Sequence, residues 1–173
     1  WDEAAKDGCF GREALAAIAR APGTWLGLVP AKLAATFDYA GAAGYYLHES
    51  NPEAFGAHAK FVLGGVETLY ERATLLLALV GAARAAGPRR RARVAVAAAG
   101  AASLFVVHAW VGYVAFPLAA LLRGRALWRG SALVPAATAV VLATAVTHAV
   151  FFGSGRYSLP VFPLLCGVAA LAL

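Results

Sequence analysis

Arg156, Tyr157 and His148 are the residues whose chemistry stands out, because all three lie within or beside strongly apolar sequence. A guanidinium stays charged at any ordinary pH and its planar donors match phosphate oxygens. A phenol adds a further hydrogen bond, and an imidazole can hold or move a proton. An arginine between two apolar runs is costly unless it sits at the water boundary or is paired. The stretch from Thr147 to Leu165 supplies such a boundary. Gly153-Ser154-Gly155 breaks one apolar helix, since glycine reaches the positive φ of a sharp reversal, and Pro160 and Pro163 suit the first turn of the next. Arg156 therefore has a job at that boundary or a snorkelling position there, with Tyr157 and His148 close by in sequence. Thr144, Thr147 and His148 share a helical sector, which hydrogen bonding between packed helices also explains.

Two further clusters carry titratable groups. Glu67 and Glu71 are spaced i, i+4 and share a helix face beside Arg72, so they suit acid–base work or a bound cation. The plainer reading, a half-solvated first helical turn with acids at its amino end, is preferred. His48, Glu49, Glu53 and His58 include metal-ligand types, but their spacing matches no ligand signature. No ligand set for a divalent cation is recognised, and the cofactor stays unknown. Cys9 and Cys166 lie in segments of opposite character, one polar and one apolar, so a bridge between them is not expected.

These groups are set in a chain of membrane composition. Hydrophobic residues make up 61% and charged ones 14%, and the mean hydropathy is +0.69, outside the range of soluble globular chains. The fold class expected is all-α, a polytopic integral membrane helical bundle with one or two amphipathic interfacial helices. Its location would be multi-pass in the inner (plasma) membrane, with the lipid bilayer as first partner. The net charge of +6 comes largely from arginines between apolar runs. That is the positive-inside pattern; no basic stretch is interleaved with aromatics as nucleic-acid binding would require. No methionine occurs and both ends read as cut, so a fragment of a longer protein is expected.

In chain order, residues 1–60 read as an extracytoplasmic loop with amphipathic juxtamembrane helices. Phe10, Ala14, Leu15 and Ile18 share one side of a helix that Pro22-Gly23 stops. Thr24 can cap a second helix in which Trp25, Leu28 or Val29, Leu33 and Phe37 recur at helical spacing, with Pro30 kinking it or marking its start. Tyr39 to Lys60 shows no sustained period and reads as loop. Residues 61–173 read as transmembrane, with spans near 61–86, 94–122, 133–152 and 159–173.

Val94 to Leu122 runs 29 residues without a charge, about 43 Å as one helix against a core of ~30 Å. Basic loops flank it, Arg89 to Arg93 before and Arg123 to Arg129 after. A single crossing would put these loops on opposite sides, whereas a hairpin puts both on the cytoplasmic side. The hairpin is preferred: it carries His108, Trp110 and Tyr113 to the far interface and sets Gly153 to Pro160 on the same face as residues 1–60.

Two stretches resemble a known family. His148, Phe152-Gly153 and Arg156-Tyr157-Ser158-Leu159-Pro160 are similar to the carboxy-terminal membrane region of bacterial family 39 glycosyltransferases, the protein O-mannosyltransferase-like members of the GT-C group. Arg12-Glu13-Ala14-Leu15, Ala21-Pro22-Gly23 and Lys32-Leu33 resemble that family's amphipathic stretch, with Ala21 where a histidine is usual and Thr24 where an arginine is; in the carboxy-terminal match, Ser158 stands where a basic residue often does. The resemblance implies transfer of a sugar from a polyprenyl-phosphate donor to a lipid, glycan or protein acceptor on the outer face of the membrane. It implies a catalytic carboxylate on an early loop that matches nothing here, leaving Arg156, Tyr157 and His148 as candidates for binding the donor phosphate. The rival reading is a non-enzymatic polytopic protein, a transporter segment or an assembly subunit. Charges inside spans mark transport pathways, and beyond Glu67, Glu71 and Arg72 there are almost none.

Overall fold

The computed structural model describes residues 2–38, 42–106, 108–151 and 153–173, and its regular structure is helical throughout. Helix α1 (Glu3–Arg20) starts where the Asp2 carboxylate accepts the Ala5 N–H at 2.7 Å. Glu3 in its first turn and Arg20 in its last complement the helix dipole. No residue of α1 is buried, and Phe10 and Leu15 on its apolar side are exposed. The next two helices, α2 (Pro22–Gly27) and α3 (Val29–Phe37), each carry proline in the first turn, where its missing N–H costs nothing. Thr24 is therefore no cap: Pro22 has already started the helix that contains it. Pro30 begins α3 and does not kink it. Leu33, Thr36 and Phe37 are buried.

The loop expected over residues 39–60 is corrected over much of its length. Ala42–Ser50 form α4, which packs on the following helix through Gly44; a Cβ there would lie 3.2 Å from the Lys60 carbonyl oxygen. The Lys60 ammonium sits 4.8 Å from the centre of the Tyr45 ring, adding a cation–π contact. Tertiary packing of a short Ala- and Tyr-rich segment supplies what its weak periodicity does not. The turn beyond it is built by Asn51, whose side-chain oxygen accepts the Ala54 N–H.

The bundle consists of α5 (Ala57–Arg84), α6 (Arg90–Ser103), α7 (Ala109–Leu121), α8 (Leu133–Val150) and α9 (Phe162–Ala170). Leu75, Leu79, Phe116, Val141, Val161 and Leu165 are fully buried between them. The charge-free stretch is thus two helices, broken after Ser103 and packed against each other. Small residues allow that approach: a Cβ on Gly100 would stand 2.5 Å from that of Ala115. Tyr113 is buried within the bundle, at 1% exposure.

Among the described residues one helix, α8, is long and apolar enough to cross a membrane. The other three expected spans fall short of that standard. Glu67, Glu71 and Arg72 interrupt α5 at mid-length, α6 and α7 have 14 and 13 residues, and α9 has nine.

Candidate functional site

Helix α3 joins the two ends from which the site is made. Its Lys32 ammonium donates to the carbonyl of Val150 at 2.9 Å, satisfying one of the carbonyls that a helix leaves open at its carboxyl end. The same ammonium lies 5.0 Å from the centre of the Trp25 ring. Gly153 then packs directly on the Lys32 carbonyl and the Thr36 hydroxyl, leaving no space for a Cβ. Thr36 is held in turn by donating to the Lys32 carbonyl at 3.0 Å. A residue larger than glycine would push the chain that follows away from α3.

That chain is a 3-10 turn, Gly155–Ser158, carrying Arg156 and Tyr157. The exposed Arg156 donates through Nη2 to the Tyr157 hydroxyl at 3.1 Å, and its guanidinium stands 5.1 Å from the centre of the Tyr157 ring. The imidazole of His148 stacks on the same ring, with centroids 4.6 Å apart and planes inclined by 23°. All three residues singled out from sequence therefore form one stack, His148 to Tyr157 to Arg156. Hydrogen bonding to Tyr157 favours the charged form of Arg156, and Tyr46 adds to it. Phe152 and Tyr39 lie outside the described residues.

A second polar group, absent from the sequence reading, surrounds Asp38. This carboxylate accepts the backbone N–H of Trp110 at 2.6 Å, capping the start of α7 from another helix. Its other oxygen lies 3.5 Å from Nδ1 of His108, whose side chain is 62% exposed while that of Asp38 is 14% exposed. Burial raises the Asp38 pKa from its ordinary value of 3.8; the Trp110 N–H, His108 and Arg72 oppose the rise without cancelling it. The nearby Glu71 accepts the Tyr113 hydroxyl at 2.6 Å, and Tyr113 stacks on Phe37 with centroids 4.5 Å apart. Arg72 donates to the Leu104 carbonyl at 2.5 Å, at the break between α6 and α7. Glu71 is thus no member of a solvated first turn: α5 begins at Ala57 and places it at mid-helix, against the bundle. One signal for Asp38 was present, since it is the sole acid between Glu13 and Glu49 and follows a phenylalanine on an apolar helix face.

The remaining candidates do not join these groups. His48 hydrogen-bonds the Phe55 carbonyl through Nδ1 at 2.7 Å, an anchor for the turn after α4. Among the described residues no three His, Cys, Asp or Glu side chains converge as a metal site would need. Cys9 and Cys166 are both free thiols.

Chemically, the arrangement offers an exposed guanidinium backed by a phenol and an imidazole. Beside the same helix α3 it offers an imidazole oriented by a carboxylate, the pairing that lets a solvent-facing ring nitrogen exchange protons. No protein-family model, curated protein or solved structure matches the chain.

Proposed function

We propose that the chain is part of a polytopic membrane glycosyltransferase of the GT-C type, moving a sugar from a polyprenyl-phosphate donor to a lipid, glycan or protein acceptor at the outer membrane face. One observation carries this reading. The two stretches that resemble the family, Arg12 to Leu33 and His148 to Pro160, meet where Lys32 bonds Val150, a separation of 118 residues, and where Gly153 seats on the Lys32 carbonyl. Their junction is also where Arg156, Tyr157 and His148 stack.

Each of the three then has a part. Arg156 takes the donor's phosphate, because a guanidinium at the headgroup boundary keeps its charge and offers paired donors as negative charge builds on the leaving group. Tyr157 holds the guanidinium by hydrogen bond and ring contact, and His148 stacks on the tyrosine ring. Exposed apolar side chains such as Phe61, Leu69, Phe105 and Leu159 suit lipid contact around the bundle.

The test is sugar transfer per mole of correctly inserted protein, measured in the membrane-embedded enzyme that contains this chain. Arg156→Ala should lower turnover by on the order of a hundredfold or more, and Arg156→Lys should restore part of it, since a point charge loses the bidentate geometry. Wild-type turnover in the Ala variant would end the phosphate-clamp reading. Full rescue by Lys would reduce Arg156 to a headgroup anchor.

A further inference from the structure

The opposite end of the bundle is cationic without relief. Every acidic residue lies at or before Glu71, whereas Arg84, Arg89, Arg90, Arg91, Arg93, Arg123, Arg125 and Arg129 come from the helix ends and loops gathered here. Arg93 is 1% exposed; it donates to the carbonyls of Ala85 at 2.6 Å and Gly87 at 3.3 Å, and its Nε has no partner. Arg123 reaches the same loop, donating to Ala86 at 3.4 Å, and its Nη2 donates to Ala126 at 3.2 Å. Carbonyls accept from the other guanidinium nitrogens named here but do not neutralise their charge. Burial and the neighbouring Arg93 both disfavour the charged form of Arg123, and no carboxylate offsets them.

The loops are shaped around a space. Gly87 and Gly124, at φ of 140° and 56°, turn the two connections, which pack together at Gly87 and Ala126 and line a recess of about 590 Å³ with Arg123, Arg125 and Arg129. A second, apolar cleft of about 270 Å³ opens between α5, α7, α8 and α9, with Phe116, Val134, Val168 and Leu171 on its walls and Arg84 and Arg123 also lining it. Arg123 lines both. A basic recess and an apolar cleft that share one lining arginine suit a charged head and its hydrocarbon tail.

We propose that this end binds an anionic phospholipid of the bilayer, its phosphate among Arg123, Arg125 and Arg129 and the start of an acyl chain in the cleft beside Phe116 and Val168. The recess is much wider than a phosphate alone needs, leaving room for a glycerol headgroup. Its arginine-rich loops are of the kind that face the anionic cytoplasmic leaflet. The proposal rests on the chain lying in a membrane and not on sugar transfer, so a binding readout separates the two.

The full chain, purified in a non-ionic detergent, is titrated with phosphatidylglycerol, phosphatidylcholine, farnesyl phosphate and glycerol phosphate, and binding is followed by native mass spectrometry and thermal unfolding. Phosphatidylglycerol should bind, and Arg125→Gln with Arg129→Gln, both at exposed positions, should weaken it by about tenfold or more. Arg90→Gln with Arg91→Gln removes the same charge outside the recess and should leave binding unchanged. Leu171→Trp, which narrows the cleft, should weaken the long-chain lipid alone. Equal losses in the two double variants would mean a diffuse basic surface and overturn the site. Equal binding of phosphatidylcholine would do the same. Glycerol phosphate binding as tightly as the lipid would remove the acyl chain from the proposal, and a preference for farnesyl phosphate would replace the phospholipid by an isoprenoid.

Discussion

Gly153 has no room for a side chain because the carbonyl of Lys32 and the hydroxyl of Thr36 occupy the place a Cβ would take. Backbone therefore meets backbone between α3 and the turn that carries Arg156. The approach is rigid on both sides: Lys32 is tied to Val150 and Thr36 to its own helix. Neither neighbour is the far end of a flexible side chain, so neither yields cheaply.

Gly153→Ala is accordingly expected to destabilise the protein by about 1–3 kcal/mol, the usual range for overpacking a close contact. It should also shift the Arg156 turn outward. Thermal unfolding checks the first effect, and protease sensitivity near Tyr157 the second. An alanine variant as stable and as resistant as wild type would show that α3 and the turn do not touch in solution.

Asp38 sets a pH dependence whose sign follows from its burial. Its folded pKa lies above the ordinary 3.8, so the folded protein binds the proton more tightly than the unfolded chain. The stability this contributes is fully present below 3.8 and is lost as pH rises through the folded value. Asp38→Asn keeps an oxygen for the Trp110 N–H and removes the titration. As pH rises above 3.8 the wild type should lose stability relative to the Asn variant, and the loss should level off once Asp38 is ionised in the folded protein. Parallel stability curves for the two proteins would contradict the raised pKa.

Topology yields the remaining test, since the helix break after Ser103 bears on which loops share a side. With Cys9 and Cys166 replaced by serine, Ala92→Cys and Ser131→Cys should be shielded from an impermeant thiol reagent added outside intact cells. Ser154→Cys should react. Labelling at position 131 with protection at 154 is the outcome that sinks the hairpin arrangement.

Helical class was legible from the chain because apolar spacing, prolines and glycine breaks are local signals. Asp2 capping α1, Pro30 opening α3 and the turn at Gly153 to Ser158 all act within a few residues of themselves. The stacking of His148, Tyr157 and Arg156 was half legible: one stretch of sequence contains all three, but the ring order depends on how the turn folds back on α8. What local pattern did not contain was any contact made at long range. Helix α4 has little periodicity and is held by Gly44 against Lys60. Asp38 finds the amide of Trp110, 72 residues away, and Glu71 finds the Tyr113 hydroxyl, 42 residues away. A carboxylate's role is set by which donors surround it once water is excluded, and only the packing of α3, α5 and α7 decides that. The same holds at the basic end: the arginines were plain in the sequence, but their convergence on a recess beside an apolar cleft exists only because two glycine-turned loops close over the ends of the helices.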